Sequence, residues 1–250
     1  MRTRQGLLAL LLFALAAPAM AQTADELIAK NIEAKGGIDK IKAIQSTRVV
    51  GKMQFKGDSA ADLELSQLVA RGGKIRQEAS LQGMTSVQAY DGNEGWQIQP
   101  FGGRKDPEKL SADDVKGLAD DADIDGPLVD YASKGHRVEY LGIEDVDGTG
   151  AHKLKATLKS GDVKYIYLDP DYFLEIRITT QRKIRGTELE FETDIGNYEQ
   201  VAGVYMPFSF ESGPKGGPKG QTITLDRIDV NGAVDDTVFQ FPAGAPAAAK

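Results

Sequence analysis

The sequence predicts a mainly β protein: a single strongly curved antiparallel sheet of about eleven strands, with short helices at its start and in its middle. Three observations carry this. Period-two alternation of apolar and polar residues recurs from Thr47 to Val230. Turn signals such as Gly72-Gly73, Asp91-Gly92-Asn93 and Asn231-Gly232 separate the alternating runs. Helical spacing is confined to two places, so strands do not alternate with helices as a parallel sheet requires.

The elements follow in order. Thr23-Ala24-Asp25-Glu26 is a capping box, and Leu27, Ile28, Ile32, Ile38, Ile41 and Ile44 give helical spacing broken at Gly36-Gly37 into two short helices. Strands then start near Thr47, Leu63 and Lys74, followed by a hairpin of Val87–Tyr90 and Trp96–Gln99. Ser111-Ala112-Asp113-Asp114 opens a helix with Leu118 and Ala119 as its weak apolar face, and Leu128, Val129 and Tyr131 read as a second short one. Strands resume from Arg137 and run to Val230. Asp235-Asp236 then caps a one-turn segment, and Phe239 and Phe241 dock the chain end.

Residues 1–21 read as an export signal: Arg2 and Arg4, an apolar run from Gly6 to Ala17, and Ala19-Met20-Ala21 before the expected cleavage at Gln22. The expected domain is 22–242, with a tail at 243–250. Loss of Arg2 and Arg4 leaves 28 basic against 37 acidic residues, a balance of −9 that disfavours nucleic acid and anionic surfaces. With no cysteine there is neither a disulfide, nor thiol chemistry, nor a lipid-attachment residue.

Signals for chemistry are sparse, and no catalytic residue, metal or cofactor is expected. His136 and His152 lack metal-ligand spacing and read as surface histidines. Asp121-Ala122-Asp123-Ile124-Asp125-Gly126 begins like a calcium loop, but Ala132 stands where the bidentate Glu belongs, so an acidic helix end is the better reading. Glu188, Glu190, Glu192 and Asp194 form the outward row of a strand whose other face is Leu189, Phe191, Thr193 and Ile195. "GPKGGPKG" at 213–220 reads as a hairpin tip. More telling is an apolar set expected along one face of the sheet: Met53, Phe55, Leu63, Leu65, Trp96, Ile98, Leu154, Leu158, Leu174, Ile176, Phe191, Met206, Phe208 and Phe210. It forms either ordinary core under the helices or the wall of an apolar pocket. Trp96 is expected on that concave wall, with Gln97 and Gln99 facing water.

"ADELIAKNIEAKGGIDKIKAIQSTRVVGKM", "VARGGKIRQE", "DGNEGWQIQP", "YEQVAGVYMPFSF" and "IDVNGAVDDTVFQFP", in that order, resemble outer-membrane lipoprotein-sorting proteins of the LolA-type carrier family. The resemblance implies a half-open barrel with helices as a lid over an apolar cavity. It also implies a periplasmic, non-enzymatic, monomeric carrier of lipid or lipoprotein acyl chains between an inner-membrane exporter and an outer-membrane acceptor. Arg71 matches the arginine that holds the lid in such carriers, and Ile75 takes the place of a cavity residue. The rival expectation on the same fold is a lipid- or envelope-stress-sensing regulatory domain.

Overall fold

The computed structural model describes residues 22–57, 60–184 and 186–243. The expected signal segment lies outside the described residues, as does the expected tail beyond Ala243. Among the described residues all strands belong to one antiparallel sheet of thirteen, two more than the approximate count expected. They are β1 Ser46–Phe55, β2 Ala61–Ala70, β3 Lys74–Leu81, β4 Met84–Tyr90, β5 Gly95–Gln99, β6 Arg104–Lys109 and β7 Arg137–Val146. β8 Thr149–Thr157, β9 Val163–Leu168, β10 Glu175–Ile184, β11 Thr187–Val201, β12 Val204–Pro214 and β13 Gln221–Val230 complete the set. The order β6-β5-β4-β3-β2-β1-β13-β12-β11-β10-β9-β8-β7 describes two meanders joined at the β1–β13 seam. The two edges, β6 and β7, do not pair with each other, so the barrel is only half closed.

β6 falls where the sequence predicts no strand. "RKDPEK" has no apolar alternation, and Pro107 suits only an edge, which is where β6 lies. The short helix expected at Leu128–Tyr131 does not form. Asp130 adopts φ +52°, a left-handed value no helix contains, and Leu128 and Val129 are buried from a series of turns instead.

Among the described residues three α-helices lie against the sheet: α1 Ala24–Ala34, α2 Ile38–Ala43 and α3 Ala112–Asp121. The Thr23–Glu26 capping box is formed in both directions at the start of α1. α1 buries Leu27 and Ile28 on β7–β10, against Leu154, Ala156, Leu158, Ile166 and Leu168. α3 buries Leu118, beside its C-cap Ala122, on Val69 of β2 and Ile75 of β3. α2 places Ile41, and the following Ile44, beside Val129 and Val204. Two glycines permit close approaches. A Cβ on Gly36, at φ +120°, would sit 2.2 Å from the Gly203 carbonyl oxygen, and one on Gly51 would sit 2.3 Å from that of Thr224 at the β1–β13 bulge.

The C-terminal segment covers the convex face of β2–β5. A one-turn helix, Asp236–Phe239, capped by Asp235, buries Phe239 completely against Leu68 and Ala70.

Candidate functional site

The helices do not cover the concave face evenly. Between α2, the segment after α3 and the central strands lies a cavity of about 630 Å³. Val49 and Met53 of β1, Leu65 of β2, Met206 and Phe210 of β12, and Ile223, Leu225 and Ile228 of β13 form its apolar wall. Ile41, Ile44 and Ile124 close it from the helix side. Far from α2, at the other end of the central strands, Phe55 and Phe191 remain 38% and 43% exposed, so the trough is open there. A second cavity of about 390 Å³ lies on the other side of the Asp120–Pro127 segment and is mixed in character: Arg71, Lys134, His136 and Lys164 line it with Asp120, Asp123 and Asp125, and Ala119, Ala122, Ile124, Pro127 and Leu158 add apolar surface.

That dividing segment is fastened by charge. Arg71, at the end of β2, donates from Nη2 to Asp125 Oδ1 at 2.8 Å and from Nη1 to Oδ2 at 3.0 Å. The same Nη2 reaches the carbonyls of Ile41 and Lys42 at 3.1 and 3.2 Å, tying β2 to the end of α2 as well. Lys42 Nζ adds contacts of 2.6 Å to Asp125 and 2.7 Å to Asp130. Burial alone would raise the Asp125 carboxyl, but the hydrogen bonds from Arg71 and Lys42 outweigh it and hold the group below the usual carboxylate range. α3 is tied across the trough in the same manner. Lys116 and Arg182 meet on the buried Asp162, and Ser160 donates to Asp120 at 2.9 Å.

The expected apolar set separates into distinct places. Met53, Leu65, Met206 and Phe210 line the cavity together. By strand alternation Phe55, Leu63, Phe191 and Phe208 share their face, with Leu63 and Phe208 buried. Leu154 and Leu158 are core beneath α1, and Ile75 is core beneath α3. Leu174 lies outside the strands beside Tyr172 and Phe173, in a separate surface depression.

Three of the set lie on the other face. Ile176, at the β9–β10 bulge, joins Val146, Ala151 and Tyr167 on the convex side. Trp96 and Ile98 are convex too, packed with Val87, Ala89 and Phe241. The Trp96 Nε1–H donates to the Phe239 carbonyl at 2.8 Å. The physical reason is that both faces of β4 and β5 are covered, so alternation fixes which residues share a face but not which face is concave. Gln97 therefore points to the concave side instead of open water. It continues a polar row across five strands: Gln67, Gln77, Gln88, Gln97 and Glu108. Gln67 and Gln77 of this row border the large cavity.

Other polar expectations also shift. His152 is buried, not on the surface: its ring stacks on Phe173 with centroids 6.0 Å apart, and Nδ1 lies 3.0 Å from the Tyr140 hydroxyl. His136 is half-buried, and its Nδ1 accepts from the Lys159 amide at 3.0 Å. Burial lowers the pKa of both rings. In the aspartate-rich loop, Asp123 is held by Lys134 at 2.6 Å and Asp125 by Arg71, so those carboxylates are already matched by protein cations. The acidic row of β11 is less solvated than expected. Lys219 reaches Glu192 at 2.6 Å, Arg177 meets Asp194, and Lys215 meets Glu190 at 3.0 Å.

No protein-family model and no curated protein matches this chain in sequence. Solved structures do resemble it. A LolA superfamily protein from Nitrosomonas europaea superposes with a TM-score of 0.59 at 12% identity, over 88% of this chain and 98% of its own. A DUF1329 family protein from Desulfovibrio piger gives 0.59 at 12% identity, over 86% and 96%. A Vibrio parahaemolyticus domain described as an outer membrane lipoprotein-sorting protein gives 0.57 at 11% identity, over 85% and 95%. At such identities the likeness is one of architecture. An open antiparallel sheet with its helices gathered on the concave face, and a cavity left between them, is the LolA-like fold.

Proposed function

We propose that this protein is a periplasmic, non-enzymatic carrier that shields lipid or lipoprotein acyl chains and moves them towards the outer membrane. The observation that carries the reading is the apolar cavity of about 630 Å³ between the central strands and α2. Apolar surface left uncovered within a well-packed fold marks a ligand site. Each methylene moved out of water contributes about 0.8 kcal/mol, so a long chain crosses an aqueous compartment only if it is escorted. The likeness to a LolA superfamily protein and to a lipoprotein-sorting domain supports the same class. So does the export signal read at residues 1–21.

In this reading Met53, Leu65, Met206 and Phe210 contact the chain, and Arg71 governs access. Its guanidinium links β2 to both α2 and the Asp120–Pro127 segment, so opening the cavity from the helix side means breaking its bonds to Asp125 and to two carbonyls. An inner-membrane exporter would load the carrier and an outer-membrane acceptor would empty it, with the carrier acting as a monomer.

Native mass spectrometry with lipid extraction, on protein isolated from periplasm, tests this. A stoichiometric adduct of acyl-chain mass is expected. Protein that stays unliganded after incubation with membrane extract would overturn the reading.

A further inference from the structure

Resting on that carrier reading, we infer that Gln67 and Gln77 set which cargo the cavity accepts. The acyl chain it takes is joined to an uncharged group that both donates and accepts hydrogen bonds, an amide or a hydroxyl.

The two glutamines stand directly opposite each other on β2 and β3, and both line the large cavity. Leu65 lies two residues along from Gln67 on the same face, about 7 Å away, with Met53 and Ile223 beyond it. A chain resting on those apolar side chains brings whatever it is attached to within reach of both amides. Thr47, diagonal to Gln67 across the β1–β2 pair, adds a hydroxyl beside them.

Polar groups around the rest of the wall already have partners. Lys35 pairs with Glu175, Asp125 with Arg71 and Lys42, Asp123 with Lys134, and the Lys164 charge with Asp120. Asp121 is exposed to water. On the opposite wing the Thr193 and Ser212 hydroxyls bond each other at 2.9 Å. Further along the glutamine row, Gln97 donates to Glu108 at 2.8 Å and accepts from Gln99 at 3.3 Å. Gln67, Gln77 and Thr47 make no side-chain hydrogen bond among the described residues.

Water can serve these three groups while the trough stands open. An acyl chain that fills it strips that water away, and an amide buried without a partner weakens binding. Each carboxamide presents N–H donors and an acceptor oxygen. Were the two to turn and bond each other, as Gln88 and Gln97 do at 3.4 Å, one carbonyl and one amide group would still be left over. A hydrocarbon answers neither. An ester or a carboxylate only accepts, and an ammonium only donates. An amide or a hydroxyl does both, so these are the two sources to separate.

The purified, delipidated protein would be incubated with an equimolar mixture of hexadecane, methyl palmitate, palmitate, palmitamide and monopalmitoylglycerol. After gel filtration, the probes that travel with it would be extracted and quantified by mass spectrometry. Palmitamide, monopalmitoylglycerol or both should exceed each of the other three about tenfold or more, although methyl palmitate and hexadecane are the more apolar. Palmitamide ahead assigns an amide, and monopalmitoylglycerol ahead a hydroxyl. The double variant Gln67→Leu with Gln77→Leu should lose the preference without a fall in melting temperature, because Leu suits a strand at least as well as Gln. Gln97→Leu, outside the cavity, should keep it. Equal uptake of methyl palmitate or hexadecane by the unaltered protein would overturn the inference, as would palmitate ahead of both favoured probes or a preference that survives the double variant. The probe order on the unaltered protein decides even where a variant fails to fold. If no probe travels with the protein, the carrier reading beneath falls instead.

Discussion

Two stretches of one sheet carry the same apolar alternation and end differently. On β7–β10 the concave side chains, Leu154, Ala156, Ile166 and their neighbours, are sealed by Leu27 and Ile28 of α1 and are almost wholly buried. On β1, β2, β12 and β13 the equivalent side chains face a void, because α2 is only six residues long and reaches just one end of them. The difference lies in the cover, not in the strands. A strand pattern states which side chains avoid water, and the length of the helix above decides whether they meet protein or a guest.

Truncation should separate the two stretches most strongly. Leu154→Ala in the sealed part is expected to cost about 3 kcal/mol of stability, and Leu65→Ala in the void less than about 1 kcal/mol, by chemical denaturation. Equal losses would erase the distinction and make the void an ordinary core. Leu65→Asp should abolish amphiphile binding while the melting temperature falls only slightly.

Next in size is the fastening of the dividing segment. Arg71→Ala leaves Asp125, a buried carboxylate, with Lys42 as its remaining partner. Hydrogen exchange should speed up across 119–127 by an amount equivalent to about 2 kcal/mol, with α1 and β7–β10 unchanged. Uniform acceleration throughout the sheet would show that Arg71 supports the whole fold and gates nothing.

Acid should reach the two stretches at different pH. The folded pKa of His152 is lowered, so its contribution is complete above its unfolded value of about 6.5 and is lost as pH falls through that value towards the folded one. The folded pKa of Asp125 is also lowered, so its contribution is complete above about 4 and is lost only as pH falls below that. Exchange around Phe173 and β8 should therefore rise once pH falls below about 6.5, and exchange across 119–127 only once it falls below about 4. His152→Phe should remove the first change alone. The smallest effect should come from Glu190→Lys on the convex face, whose pair with Lys215 is largely solvated. Under 1 kcal/mol is expected, with binding unaltered.

Much of the architecture is legible in the residues. The capping box at Thr23, the cap at Ser111, the glycine turns and the one-turn segment after Asp235 all form as the sequence reads. Alternation alone carries no sign, however, and that is why Trp96 and Ile98 are expected on the concave wall yet lie beneath Phe241. Ile223, Leu225 and Ile228 escape notice for a related reason. The bulge opposite Gly51 breaks their period, so no single alternation includes all three. The glutamine row is invisible because its members are distant in sequence and meet only through register. Arg71 stands out only through the family resemblance; its partner Asp125 is 54 residues away and reads as part of an abortive calcium loop.

The β1–β13 seam has a consequence for how the molecule comes into being. Met53 and Ile223 are neighbours across it although 170 residues separate them, whereas every other pairing in the sheet joins strands consecutive in the chain. Each meander can assemble from nearby contacts, but the seam closes only after the two have found one another, the slow class of event in folding. The void is walled from both sides of that seam, by Val49 and Leu65 on one and Leu225 and Phe210 on the other. A chain still being delivered would thus have no such void until its thirteenth strand had arrived, and the presence of the void would itself report that folding is complete.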